Sequence, residues 1–217
     1  MAARRLLAAA PGLVIAAGGI AAIAVLADAA RESNGLASDD PALANDVLGL
    51  RTVQLTDVAR ALTFLGDVPV LMVFTLIAAL VLWRVTKSRR PAVVLLVAMA
   101  GSAALTYGVK LLVERPRPGV GYVLGAVDTT YSFPSGHTLN SAVFFLTLAG
   151  LLWMLRAGLV WRITGTAVAV LLSVGIGLSR IYLGYHWATD VLAAWLLAAT
   201  WLSLVATGAY FARAPGG

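Results

Sequence analysis

Leu6–Ala27 runs for 22 residues without a charged side chain, and the same pattern returns along the chain. Val191–Ala212 holds 22 uncharged residues, Pro91–Val109 holds 19 and Thr138–Leu155 holds 18. A helix needs about 20 apolar residues to cross the hydrocarbon core of a bilayer. Val68–Trp83 and Ile163–Leu178, at 16 residues each, reach across if flanking residues join them. The runs are unbroken and lack the alternation of a membrane barrel strand, which excludes strands as the spanning element. The expected fold is therefore all-α: one integral membrane bundle of six transmembrane helices, forming a single domain over residues 1–217.

Charge supplies the orientation. With the N-terminus in the cytoplasm, the inner segments carry Arg4, Arg5, Arg84, Lys87, Arg89, Arg90, Arg156, Arg162 and Arg213 and no acid. All ten Asp and Glu residues then fall outside, with the other seven cations. This is the positive-inside asymmetry, and it places both termini on the cytoplasmic side of the cell membrane. The net charge of +6 is thus read as a cytoplasmic rim facing anionic lipid headgroups, not as a nucleic-acid surface. Zero cysteines exclude disulfides and thiol chemistry. Arg4-Arg5 ahead of an apolar run ending in VLADA also has the outline of a secretory signal. The run exceeds the 7–15 residues of a signal core, so the first helix is expected to stay attached.

Between the first two spans lies a polar outer segment, residues 28–67. ARESNGLASDDPALAND reads as a loop by composition. The following VLGLRTVQLTDVARALTFLG has partial helical periodicity through Val47, Leu50, Leu55, Val58 and Leu62. It is either a short helix on the membrane surface or a packed connector. Gly175 and Gly177 are expected to allow close helix packing.

The polar residues at the outer helix ends fall into three clusters. Lys110, Arg115 and Arg117 follow the third span, Pro134-Ser135-Gly136-His137 opens the fourth, and Ser179-Arg180 through His186 to Asp190 joins the last two. Each cluster alone has an ordinary explanation: snorkelling cations, a Ser-Gly helix cap, a local His186–Asp190 hydrogen bond. Both histidines of the chain nevertheless gather with one carboxylate and several cations at junctions on one side of the membrane.

Phosphoryl transfer needs such a set. Lys110, Arg117 and Arg180 are suited to the equatorial oxygens of the transferring group, which carry spread negative charge. Backbone N–H groups near Ser135 and Gly136 sit at a helix N-terminus, which favours an anion. Asp190, four residues after His186, is placed to orient it, which makes His186 the nucleophile and His137 the general acid. A metal site built from the two histidines and Asp190 is the competing reading. Three nearby cations oppose a divalent ion, so no metal or other cofactor is expected.

The three clusters, KLLVERPRP (110–118), PSGH (134–137) and SRIYLGYHWATD (179–190), resemble the three-part signature of the type 2 phosphatidic acid phosphatase superfamily. They stand in the family's order, separated by 15 and 41 residues, with no signature position altered. The resemblance implies a phosphohistidine on His186, acid catalysis by His137, support from Asp190, and phosphate binding by Lys110, Arg117, Ser135, Gly136 and Arg180. Arg115 lies outside the signature. The family generally needs no metal. Similar motifs occur in vanadium haloperoxidases, which are soluble domains, and the spans point away from that activity. The expectation is a lipid phosphatase acting on the outer side, on a polyprenyl (undecaprenyl) diphosphate first and a phosphatidate or phosphatidylglycerophosphate second. A lipid phosphotransferase and a catalytically silent transport or scaffold protein are the alternatives from other classes.

Overall fold

The computed structural model describes residues 2–212, with side chains from residue 9 onward. Its helices are α1 (Ala2–Glu32), α2 (Asp40–Gly49), α3 (Val53–Leu65), α4 (Val68–Thr86), α5 (Arg90–Val113), α6 (Gly136–Met154), α7 (Leu159–Tyr182) and α8 (Ala188–Phe211). Six of them are long and apolar enough to span a membrane: α1, α4, α5, α6, α7 and α8. The two short apolar runs lengthen by recruiting their flanks, α4 to Thr86 and α7 from Leu159 to Tyr182. No strand occurs among the described residues.

The spans divide by surroundings. More than half of α6 is buried by other helices, whereas α4 and α7 remain mostly exposed along their lengths. This explains their compositions. A helix in contact with lipid must be apolar on most faces, but α6 is enclosed and tolerates buried Thr138, Asn140, Ser141 and Thr147. Its apolar face joins Ala98 of α5 and Ala194, Leu197 and Ala198 of α8 around Leu139, Ala142 and Val143. Small residues bring the helix backbones close. Gly177 of α7 faces Trp195 of α8, where a Cβ would come within 2.5 Å of the indole, and Gly175 faces Leu62 of α3.

The outer segment departs from the loop reading. α1 continues to Glu32, a 3-10 turn covers Gly35–Asp39, and α2 begins at Asp40 within the DDPALAND string. Pro41 lies in the first turn of α2, where its missing N–H has no intrahelical partner to lose. Polar composition therefore concealed a helix start. The α3 segment packs along α7, with Ala59 buried and Val53 and Val58 exposed, so it is a packed connector with one free face.

Arg84, Lys87, Arg89, Arg90, Arg156 and Arg162 lie at the end of the bundle where α4 meets α5 and α6 meets α7. Arg89 sits 5.8 Å from the centroid of Trp83, and Arg162 sits 4.7 Å from that of Trp153. These cation–aromatic pairs suit a membrane interface. The expected inner cation Arg213 lies outside the described residues, as do the side chains of Arg4 and Arg5. At the opposite end, α5, α7 and α1 finish while α4, α6 and α8 begin, and there the three motifs meet.

Candidate active site

α5 runs past Lys110 to Val113 and stops at Glu114, which takes a left-handed φ of 53°. Pro116 and Pro118 then forbid helix, and the chain makes a long connection before α6. This connection is tied down at both ends. Ser132 donates to the Arg115 carbonyl at 2.9 Å, and Leu124 donates to the Leu183 carbonyl at 2.9 Å. On the facing turn Gly184 has φ +77°, and a Cβ there would collide with the Tyr122 carbonyl. Glycine is required at that close crossing.

The turn carries His186, which is buried. Its Nδ1 lies 3.3 Å from Asp190 Oδ2, and its Nε2 lies 3.2 Å from Arg117 Nη1. A guanidinium only donates, so Nε2 is the acceptor and the ring hydrogen lies on Nδ1, facing the carboxylate. Burial, then the charges of Arg180, Arg117, Lys110 and His137, hold the His186 pKa well below the ordinary imidazole value. The result is a neutral imidazole whose Nε2 lone pair faces the cationic side of the site, as a nitrogen nucleophile requires.

Arg117 donates from Nε to the Thr130 carbonyl at 2.7 Å and from Nη1 to the Tyr185 carbonyl at 2.8 Å. Its Nη2 pairs with Asp128 Oδ2 at 2.6 Å. Burial raises the proton affinity of Asp128, but the Thr130 N–H, Arg117 and Lys110 outweigh it and hold the carboxyl below its usual range. Arg180 donates to Thr63 Oγ1 at 2.7 Å and stacks 4.0 Å from the Tyr185 ring centroid. Its buried Nε has no hydrogen-bond partner among the described residues. Such a donor is costly to bury and suits an anion supplied by a ligand. Lys110 Nζ donates to the Tyr131 carbonyl beside the same cluster.

Ser135 occupies the N-cap position of α6, yet its side chain makes no capping bond. Its hydroxyl accepts from Thr138 Oγ1 at 2.9 Å, and its N–H donates to the Asp190 carbonyl at 3.2 Å. The cap reading is corrected in that respect: position is kept, but the side chain is turned to Thr138. The N–H groups of Gly136, His137 and Thr138 have no backbone partner among the described residues, so the anion-favouring donors begin one residue later than Ser135. His137 is half-buried, and its Nε2 lies 2.6 Å from Asp67 Oδ1. No three His, Asp or Glu side chains among the described residues converge as a metal-ligand set.

Several site residues carry no motif signal. Arg115 is buried and bridges Asp40 of α2, at 2.7 Å, and Asp190 Oδ1, at 2.7 Å. Asp40 also accepts from the Thr189 N–H at 3.1 Å and from the Thr189 hydroxyl. Asp190 is further held by the Trp187 N–H at 3.0 Å. Arg51 donates to the Tyr122 carbonyl at 2.6 Å and the Tyr182 carbonyl at 2.9 Å, clamping the end of α7. Asp40, Arg51, Thr63 and Asp67 all belong to the outer segment, where no spacing rule connects them to the motifs.

A groove of about 490 Å³ opens between α4 and α5 below this cluster. It is lined by Leu71, Met72, Leu76, Leu96, Met99 and Ala103, among others, and reaches Lys110 at its upper end. From Lys110 to Leu96 the helix descends about 20 Å.

Known proteins resemble this chain in sequence and fold. The model of the PAP2 superfamily matches residues 91–213. The chain is 30% identical over 175 residues to phosphatidylglycerophosphatase B of Bacillus subtilis, covering 78% of this chain and 82% of that protein. It is 41% identical over 86 residues to an undecaprenyl-diphosphatase of Sulfolobus acidocaldarius, covering 39% of this chain and 36% of that one. A crystal structure of a transmembrane PAP2 type phosphatidylglycerolphosphate phosphatase from Bacillus subtilis superposes with a TM-score of 0.82 at 25% identity. That superposition covers 91% of this chain and 97% of the other. The motifs, the shared fold and the match across more than half of its length make one statement: the chain belongs to the PAP2 superfamily.

Proposed function

We propose that this membrane phosphatase hydrolyses a lipid phosphate or diphosphate through a phosphohistidine on His186, at the outer face of the cell membrane. The observation that carries the reading is the His186 environment: Nδ1–H held by Asp190, and the Nε2 lone pair directed toward Arg117. The substrate phosphate competes with Nε2 and Asp128 for the Arg117 guanidinium, which frees the lone pair as it binds. Lys110, Arg180 and the first N–H groups of α6 surround the equatorial oxygens, with Ser135 shaping the turn that presents those groups. His186 attacks phosphorus, and His137 protonates the departing oxygen. Water then attacks the phosphohistidine, with His137 as base. The reading assigns no step to a metal ion.

The groove between α4 and α5 supports a lipid as the substrate, because it joins the cationic cluster to the apolar flank of the bundle. Its inner wall also carries Thr75, Thr106 and Asn140, and the Thr75 hydroxyl has no partner among the described residues. The ester and glycerol oxygens of a glycerolipid phosphate would meet these groups, whereas a polyprenyl chain brings no polar atom to them. The Bacillus subtilis relative that matches most of the chain bears the name of a glycerolipid phosphatase. A phosphatidylglycerophosphate or phosphatidate is accordingly placed first. A polyprenyl diphosphate, the first expectation from sequence, is kept as the second reading, supported by the similarity to an undecaprenyl-diphosphatase.

The test is phosphate release by purified protein in detergent, without added metal, from phosphatidylglycerophosphate, phosphatidate and undecaprenyl diphosphate. Wild type should release phosphate with chelator present, and His186→Ala should lose about 10⁴-fold or more. Activity surviving in His186→Ala would remove the mechanism. A cysteine introduced at Tyr131 should label from outside the cell, and inside-only labelling would reverse the topology.

A further inference from the structure

The corner between α3 and α4, Gly66-Asp67, belongs to none of the three motifs, yet it is pressed against His137. A Cβ on Gly66 would come within 3.4 Å of His137 Cβ and Cδ2 and within 2.9 Å of Ile176 Cγ2. Asp67 occupies the N-cap position of α4, where an aspartate ordinarily bonds the first-turn N–H groups. Here it makes no capping bond. Its Oδ1 instead lies 2.6 Å from His137 Nε2. The last turn of α3 also supplies Thr63, which accepts from Arg180. The corner thus forms one wall of the site.

The chemistry of His137 needs a wall of this kind. The groups around it are Asp67 at the corner, Arg180 on α7, Asp128 on the α5–α6 connection and His186 on the α7–α8 turn. Lys110 of α5, Arg117 of the connection and Asp190 of α8 belong to the same cluster. A general acid must carry a proton, and burial and then the Arg180 guanidinium oppose a positive charge on the ring. Asp67 is the carboxylate in direct contact that works against them.

We infer that Asp67 is a positioning residue for the general acid: it accepts the Nε2–H of His137, fixes the ring, and supports its imidazolium form. The inference rests on the phosphatase reading above. In the first step the His186 Nε2–P bond forms and the P–O bond to the lipid breaks, its electron pair going to the departing oxygen. The proton for that oxygen comes from His137 Nδ1, while Nε2–H stays on Asp67. In the second step Nδ1 takes a proton from the attacking water, and the N–P electron pair returns to His186 Nε2.

The experiment compares wild type, Asp67→Asn and Asp67→Glu on two substrates, an alkyl lipid phosphate and 4-nitrophenyl phosphate. The nitrophenolate departs without needing a proton, so its burst, which precedes attack by water, reports on everything in the first step except acid catalysis. Asp67→Asn should reduce kcat on the lipid about 100-fold, within the range of general-acid effects, with KM changed by less than about threefold. On the aryl phosphate the loss in burst rate should stay below about threefold. The basic limb of the kcat profile on the lipid should move to lower pH, and Asp67→Glu should recover much of the rate. In a His137→Ala background, Asp67→Asn should have no further effect. Equal losses on both substrates, or no loss on either, would overturn the role while leaving the phosphatase reading intact. A wild type inactive on both substrates would remove the reading and the role together.

Discussion

Arg115 Nη1 donates to Asp190 Oδ1 at 2.7 Å, joining residues 75 apart in sequence inside a buried pocket. The other arm of the same guanidinium holds Asp40. The carboxylate behind His186, the proposed nucleophile, is therefore fixed by an arginine outside the family signature and, through it, by a helix of the outer segment. Removing Arg115 leaves two buried carboxylates without their cation, a loss of about 3–5 kcal/mol. Arg115→Met should lower the melting temperature in detergent and reduce kcat. Asp40→Asn should be milder on both, since the Arg115–Asp190 pair remains. Equal effects from the two variants would contradict the bridging role.

His186 offers a direct titration, because the chain has only two histidines. Its pKa lies well below the ordinary value, through burial and then the surrounding cations. In ¹⁵N-histidine spectra the imidazole signal that is absent from His186→Ala should remain neutral as pH falls through about 6.5. The sign for stability follows. Below about pH 6.5 the unfolded chain binds a proton that folded His186 refuses, so this group lowers stability as pH falls, by up to about 1.4 kcal/mol per pH unit. A His186 titration at or above 6.5 would refute the assignment.

Asp128 holds the arm of Arg117 that the substrate phosphate is proposed to take. Neutralising it should strengthen anion binding. Asp128→Asn is expected to lower the inhibition constant of inorganic phosphate by about three- to tenfold, the scale of one partly exposed charge. Weaker inhibition would mean that Asp128 serves to position Arg117.

The groove has its own prediction. Ala103 lines it on α5, between Met99 and Lys110. Ala103→Trp should raise KM for long-chain lipid phosphates about tenfold while leaving a short-chain phosphate nearly unaffected. Equal effects on both chain lengths would place the tail elsewhere.

Much of the site is legible in the residue types and their spacing. His186, His137, Asp190, Lys110, Arg117 and Arg180 do meet at one end of the bundle, because alternating spans bring alternate junctions to one side. Ser-Gly taken alone reads as a side-chain cap, and the Ser135 hydroxyl instead accepts from Thr138. By composition the DDPALAND string reads as loop, and α2 starts within it. Polar composition marks solvent and site alike, so it could not separate a capped helix from a turn.

The division between sequence and tertiary structure has a physical cause. Lipid imposes a one-dimensional constraint, apolar length with charge excluded, and a helix meets it by itself; the six spans were therefore written in local composition. The motif residues carried their chemistry in residue type and short spacing. The partners of that chemistry did not. Asp40 for Arg115, Asp67 for His137, Thr63 for Arg180 and Arg51 for the end of α7 are contacts over long sequence separation. An aspartate in a polar segment reads the same whether it faces water or a buried arginine. Only the packing of α2 and α3 against α7 and α8 decides which, by removing the water that would otherwise satisfy it.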